Sequence, residues 1–317
     1  MAIRRWSALL GAVLLAACPP LRAANGELHI ARFGFANNCT FYDCVGQVFA
    51  SGGTHSDITV ATGEDGCNGF ARSLDFARAA STNDDVAHVD VVGGSQLRLT
   101  TGRAGSAKLE LYDAADHLID RYAIEVADPV TFGLPASQLL IEGNVTTLDV
   151  AARDAAGRVV TSDQVTLQTS GATSLTTQPP YAFPVSVQLN QALGTGTLTV
   201  SYGALTQTLD LEGVPLSAIT SLVADRPALA VVAPVDVVAG DPLLSITALA
   251  GTRSVVGPVC EWTTSDPSLM GYGAAGTIDR PAMRNWFRAT RAGNFTATCR
   301  VATASVTVEI DATTSAK

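Results

Sequence analysis

Apolar and polar residues alternate in short runs along most of this chain, with Gly, Asp, Asn and Pro between the runs. Segments 108–112, 147–151, 197–201 and 305–310 carry the pattern most clearly. A period of two puts one side of a strand in a core and the other in water, so these runs predict antiparallel sandwich strands. No window sustains a helical period of 3.6 between caps. The candidates for an exception, such as 280–287, are short. Asp113-Ala114-Ala115-Asp116 and Asp154-Ala155-Ala156-Gly157 predict hairpin turns in which Asp accepts backbone bonds. The predicted fold class is all-β.

The pattern also repeats. Arg103-Ala104-Gly105-Ser106-Ala107-Lys108-Leu109, Ala192-Leu193-Gly194-Thr195-Gly196-Thr197-Leu198 and Arg291-Ala292-Gly293-Asn294-Phe295-Thr296-Ala297 each place a turn glycine before an alternating strand. Gly105, Gly194 and Gly293 are spaced by 89 and 99 residues, near the roughly 100 residues of one immunoglobulin-type sandwich. A second correspondence sets Ser81-Thr82-Asn83-Asp84-Asp85-Val86-Ala87 against Thr264-Ser265-Asp266-Pro267-Ser268-Leu269-Met270. Trp262-Thr263-Thr264-Ser265-Asp266-Pro267, followed by the glycine-led strand at Gly293, resembles the bacterial Ig-like (Big) domains of surface proteins, including the invasin and intimin group. The resemblance covers 215–312 and, less fully, 25–128; segment 130–213 lacks the Trp and Ser-Asp-Pro elements. It implies tandem immunoglobulin-like β-sandwich domains, a fold that hosts many functions. Pro129 and Pro215 each follow a strand end, as short stiff joints require. The expected organisation is a signal peptide over 1–24, domains over 25–128, 129–213 and 214–312, and a tail over 313–317.

The N-terminus changes the picture from fold to compartment. Arg4 and Arg5 precede an apolar stretch over 8–17, too short to span a bilayer, where about 20 residues are needed. This is an export signal. Leu15-Ala16-Ala17-Cys18 resembles the lipobox of bacterial lipoproteins, which implies that Cys18 is lipidated and becomes the mature N-terminus. The other reading has Pro19-Pro20 end the apolar stretch and cleavage follow Ala23 or Ala24. The expected location is the cell envelope, as a lipoprotein of the outer membrane, periplasm or cell surface, or otherwise secretion.

Composition narrows the partners. Hydrophobic residues make up 47% and charged residues 15% of the 317 residues, which excludes a disordered polymer. A formal net charge of -9 argues against nucleic acid, which selects a basic face.

Candidate chemistry is sparse. Cys39, Cys44 and Cys67 do not have zinc-ligand spacing, and one disulfide involving Cys67 is expected there. His29, His55, His88 and His117 are scattered, with no metal motif. Asp84, Asp85, Asp90, Glu64 and Asp65 read as solvated turn residues, because their spacing is not that of a calcium loop. Gly102-Arg103-Ala104-Gly105-Ser106 is explained as a turn, and no base stands ready to activate a nucleophile. No catalytic residue, metal site or cofactor is assigned. Three matches to the glycosylation sequon, at Asn38, Asn144 and Asn294, are taken as chance beside a bacterial-type lipobox.

One covalent feature is expected in the third domain. Cys260 lies two residues before Trp262 and so shares its face, and Cys299 belongs to the inward set Phe295, Ala297, Cys299 and Val301. In an Ig-like strand order the strands bearing them are neighbours in one sheet, so Cys260 and Cys299 are expected to form a disulfide. The function expected from all this is non-enzymatic: a lipid-anchored structural or adhesive spacer, whose partners are the membrane and an unknown surface protein or glycan. The alternative is a ligand- or glycan-binding accessory module. Aromatic residues are only 6% of the chain, leaving Trp286, Phe287 and Tyr272 as its platform in the third domain.

Overall fold

The computed structural model describes residues 24–35, 48–62, 72–177, 181–183, 185–233, 243–275, 277, 280 and 282–314. Among them every regular element is a strand, apart from the 3-10 turn Leu216–Ala218. The chain is all-β and builds tandem immunoglobulin-like sandwiches. The stretch considered as a possible helix, 280–287, runs instead into the strand Met283–Ala289. Met283, Asn285, Phe287 and Ala289 are its buried positions, a period of two that a helix cannot supply.

Three hydrophobic cores follow one another along the chain. Phe33, Leu99, Leu109 and Tyr122 belong to the first, Leu148, Val187, Leu198 and Leu209 to the second, and Leu244, Phe287, Phe295 and Val308 to the third. The repeat glycines occupy equivalent places: Gly105 pairs with Val126, Gly194 with Gly213 and Gly293 with Ala312, each facing the last strand of its unit. All three have positive φ (153°, 107° and 152°), where a side chain is disfavoured. The predicted turns use their aspartates as expected. Asp113 accepts from the N–H groups of Ala115 and His117, and Asp154 from those of Ala156 and Arg158.

One sheet of 16 strands passes through all three units. It runs from Leu269–Ala274, Met283–Ala289, Leu243–Ala250 and Arg253–Val256 in the third unit to Ser137–Ile141, Leu205–Val214, Val185–Tyr202 and Val159–Leu175 in the second. It then continues through Val48–Ala50, Leu118–Ala127, Gly105–Tyr112 and Arg78–Ser81 in the first. A six-stranded sheet completes the first sandwich. A four-stranded sheet, ordered Ala228–Ala233, Ala304–Thr314, Gly293–Val301 and Glu261–Thr264, completes the third.

Candidate functional site: the two joints

The sheet crosses from unit to unit by the same device twice. A short strand early in one unit runs parallel to that unit's last strand. Its other edge takes, also in parallel, a hairpin strand from the next unit. At the first joint Val48–Ala50 lies between Leu118–Ala127 and the start of Val159–Leu175. At the second, Ser137–Ile141 lies between Leu205–Val214 and Arg253–Val256.

Alternation then divides each joint strand between two cores. Phe49 points into the first core while Val48 and Ala50 enter the second. Leu140 points into the second core while Leu139 and Ile141 enter the third, and Val256 returns from the third unit to the second core. Each joint strand is buried on both faces, so the joint is held by apolar burial as well as by its ladder.

Polar contacts close the two joints differently. At the first, the Thr54 hydroxyl bonds the hydroxyls of Ser162 (3.2 Å) and Tyr202 (3.1 Å) in a buried setting. Tyr202 also donates to the Ser51 carbonyl, and the Thr101 hydroxyl donates to Ala50 O at 2.6 Å. At the second, Gln138 donates its amide to Ser254 O at 2.8 Å and Asn144 donates to Gly257 O at 2.8 Å. Each joint also carries one ion pair from hairpin to last strand: Arg158–Glu125 at 2.7 Å and Arg253–Glu212 at 2.6 Å. Arg158 also binds Asp154 at 2.7 Å. Desolvation pushes the Asp154 carboxyl up, but the bonds from Arg158 outweigh it and hold the carboxyl below its ordinary range.

A second buried carboxylate fixes the N-terminal hairpin. Asp120, fully buried, accepts from the backbone N–H groups of Leu28, Ile30 and Ala31 at 2.8, 2.8 and 2.7 Å. Burial pushes its carboxyl up, and these donors together with the Arg121 N–H prevail and hold it low.

The residues singled out from sequence are not gathered into one site. Cys18, Cys39, Cys44, Cys67, Glu64, Asp65 and Asn38 lie outside the described residues. Cys260 and Cys299 are joined, with Cα atoms 5.2 Å apart. Cys299 is fully buried opposite Trp262 on the adjacent strand, so the bridge spans neighbours of one sheet. Trp262 is half-buried, and its ring meets Phe287 edge-on at 5.3 Å. Phe287 corrects an expectation: it is fully buried on the inward face of its strand and offers a sugar nothing. Trp286 is half-buried, and the Tyr272 side chain lies outside the described residues.

Asp84 and Asp90 flank His88 at 3.5 and 3.2 Å, while Asp85 faces Arg103 at 4.0 Å. His55 donates its backbone N–H to Asp163 across the first joint, His117 faces Asp113, and His29 sits at a left-handed turn (φ 59°). Among the described residues no three His, Cys, Asp or Glu side chains gather to hold a metal ion. Gly102 lies in a tight turn, donating to Val86 O at 2.8 Å. Asn144 and Asn294 differ in use, since the Asn144 side chain is spent on the second joint and Asn294 is exposed.

No protein-family model matches this chain, and no curated protein matches it. Solved structures similar in form include domains 4–9 of the surface-layer protein SbsC. That match has 16% identity and a TM-score of 0.34, covering 83% of this chain and 43% of that one. The Escherichia coli adhesin FdeC is similar at 13% identity and a TM-score of 0.24, covering 84% and 94% of the two chains. The I67–I69 fragment of titin is similar at 11% identity and a TM-score of 0.21, covering 85% and 95%. This chain thus spans less than half the length of the SbsC fragment, and at these scores the likenesses carry no argument about function.

Proposed function

We propose that the chain is a non-enzymatic protein of the cell envelope, a stiff structural or adhesive spacer anchored through a lipid on Cys18. Three units with limits near 128 and 213 hold the distal end at a set distance and angle from the surface, and loops at the unit ends are the places for a partner to bind. The observation that carries this reading is the construction of the joints. A flexible linker would serve a tethered catalyst or a searching binder. Here each crossing instead commits a strand to two cores. A transient interdomain contact is more polar than this and permits motion. The glycan-binding alternative loses one of its three aromatic candidates, with Phe287 in the core.

Expression with a labelled fatty acid tests the anchor. Wild type is expected to incorporate label and fractionate with membranes, and Cys18→Ser is expected to do neither. Equal and low incorporation in both, with maturation at Ala23 or Ala24, overturns the anchor and leaves a secreted spacer.

A further inference from the structure

The joint strand has a third copy. Val48–Ala50, Ser137–Ile141 and Ala228–Ala233 each run parallel to the last strand of their own unit in one register. Val48 stands opposite Glu125, Leu139 opposite Glu212 and Ala228 opposite Glu309. In the first two copies the outer edge carries the next unit's hairpin, with Val160 opposite Val48 and Val255 opposite Leu139. The hairpin arginine, Arg158 or Arg253, meets the register glutamate.

The third copy lacks those partners among the described residues. Ala228–Ala233 ends its sheet and pairs only with Ala304–Thr314. Ala228 and Ala230, on the face equivalent to Val48 and Ala50, are exposed. Glu309 is exposed and has no ion-pair partner among the described residues. Yet the run Ala228-Leu229-Ala230-Val231-Val232-Ala233 holds no polar residue, the composition of a strand covered on both faces. Uncovered edges of that kind are normally blunted by charge.

The complementary hairpin is at the other end of the molecule. Thr62 stands opposite Arg72 as Ala250 stands opposite Arg253. Leu74 donates its N–H to Val60 O, which sets Leu74 where Val160 and Val255 stand in the other units. Arg72-Ser73-Leu74 thus parallels Arg158-Val159-Val160 and Arg253-Ser254-Val255. Arg72–Ser73 pairs only with His55–Thr62 among the described residues.

We propose that these two ends bind each other between copies of this chain: the Arg72–Leu74 hairpin edge of one molecule docks on Ala228–Ala233 of another, with Arg72 set against Glu309. The contact repeats a joint the chain builds twice within itself, and the charges at its centre are complementary. It is heterologous, the first unit of one copy meeting the third unit of the next, so copies join head to tail. The third hairpin position is Thr161 and Val256 at the internal joints, both buried, but Asp75 in the incoming edge. Desolvating that carboxylate is unfavourable, which makes the contact weaker than the internal joints and reversible.

Sedimentation velocity on the full chain carrying Cys18→Ser, from ~1 µM to ~1 mM, decides the matter over the range of weak association. The weight-average coefficient is expected to rise reversibly with concentration. Glu309→Arg alone and Arg72→Glu alone are each expected to abolish the rise, because each places like charges at the contact. An equimolar mixture of the two variants restores opposite charges at every contact and is expected to restore association. Circular dichroism melts of both variants check that they fold. A wild-type coefficient that stays monomeric throughout overturns the proposal. So does association that survives in either single variant, or that the mixture fails to restore.

Discussion

At the first joint Val48 and Ala50 enter the neighbouring core beside a buried set of hydroxyls. At the second, Leu139 and Ile141 enter it beside two side-chain amides. The backbone plan is the same in both, a strand held in parallel on either edge, so pairing supplies the geometry. Side chains decide what each joint resists. A joint filled by branched aliphatics is stabilised in proportion to the volume it buries. A joint closed by hydroxyls is more specific and more exposed to single losses, because each buried group left without its partner is penalised. The second joint should therefore fail by cavities, and the first by broken hydrogen bonds or protons.

The largest expected effect reaches the second joint from a distance. The bridge between Cys260 and Cys299 closes a span of 39 residues, and such a loop contributes roughly 4 kcal/mol in the chain-entropy model. Reduction is expected to lower the melting of the third unit and, through Leu139 and Ile141, to loosen the second joint while sparing the first. Non-reducing peptide mapping should recover Cys260 linked to Cys299. Recovery of Cys260 alkylated, or linked to Cys39, Cys44 or Cys67, would contradict the pairing.

Next comes the apolar joint itself. Leu139→Ala is expected to cost about 3 kcal/mol, as a buried leucine truncation does, and to separate the melting of the second and third units. The isolated segment 215–312 lacks Leu139 and Ile141 altogether, so it should fold but melt below the same unit in the full chain. An unchanged melting temperature would mean that the shared strand adds nothing.

Tyr202→Phe attacks the first joint. It leaves the Thr54 hydroxyl and the Ser51 carbonyl each short of one bond, which is expected to cost about 1–2 kcal/mol. Hydrogen exchange should quicken across 48–54 and not across 137–141.

Acid should act in the same place. The folded carboxyl of Asp154 lies below its unfolded value. The stability it contributes is therefore fully present above the ordinary carboxylate range near 4 and is lost as pH falls through the lower folded value. Protection from exchange at the first joint, relative to the intrinsic rate, is expected to fall as pH drops below about 4, and Asp154→Asn should remove much of that dependence. The smallest effect belongs to Arg253→Gln. With half the arginine side chain in water, breaking its pair with Glu212 should shift stability by no more than about 1 kcal/mol.

Strands and turns were legible in the sequence because a period of two and an Asp-led turn are local signals. Met283–Ala289 was not legible, because Asn285 is polar on the buried side and Trp286 apolar on the other, which breaks the alternation of residue types. The facing of Cys260 and Cys299 was legible from the period of two, since Cys260 lies two residues before Trp262 and Cys299 alternates with Phe295, Ala297 and Val301 on its strand. The joints were not. Val48–Ala50 and Ser137–Ile141 are three and five residues long. Burial on both faces erases alternation, leaving Val-Phe-Ala and Leu-Leu-Ile with no outward polar residue to mark a phase. Their partners lie about a hundred residues away, so nothing nearby records the pairing. Glu125, Glu212 and Glu309, one in each last strand, were the available trace, but a glutamate in a strand reads as an outward charge until an arginine is placed beside it.

The central claim is that the three units are joined stiffly through shared strands. It is tested most directly by the distance distribution between two spin labels, introduced as non-natural amino acids at the exposed positions Asp90 in the first unit and Thr263 in the third. Pulsed dipolar spectroscopy on the intact chain is expected to give one narrow distribution, and Leu139→Ala is expected to broaden it. A broad distribution in the unaltered chain, as wide as that of the variant, would contradict the account.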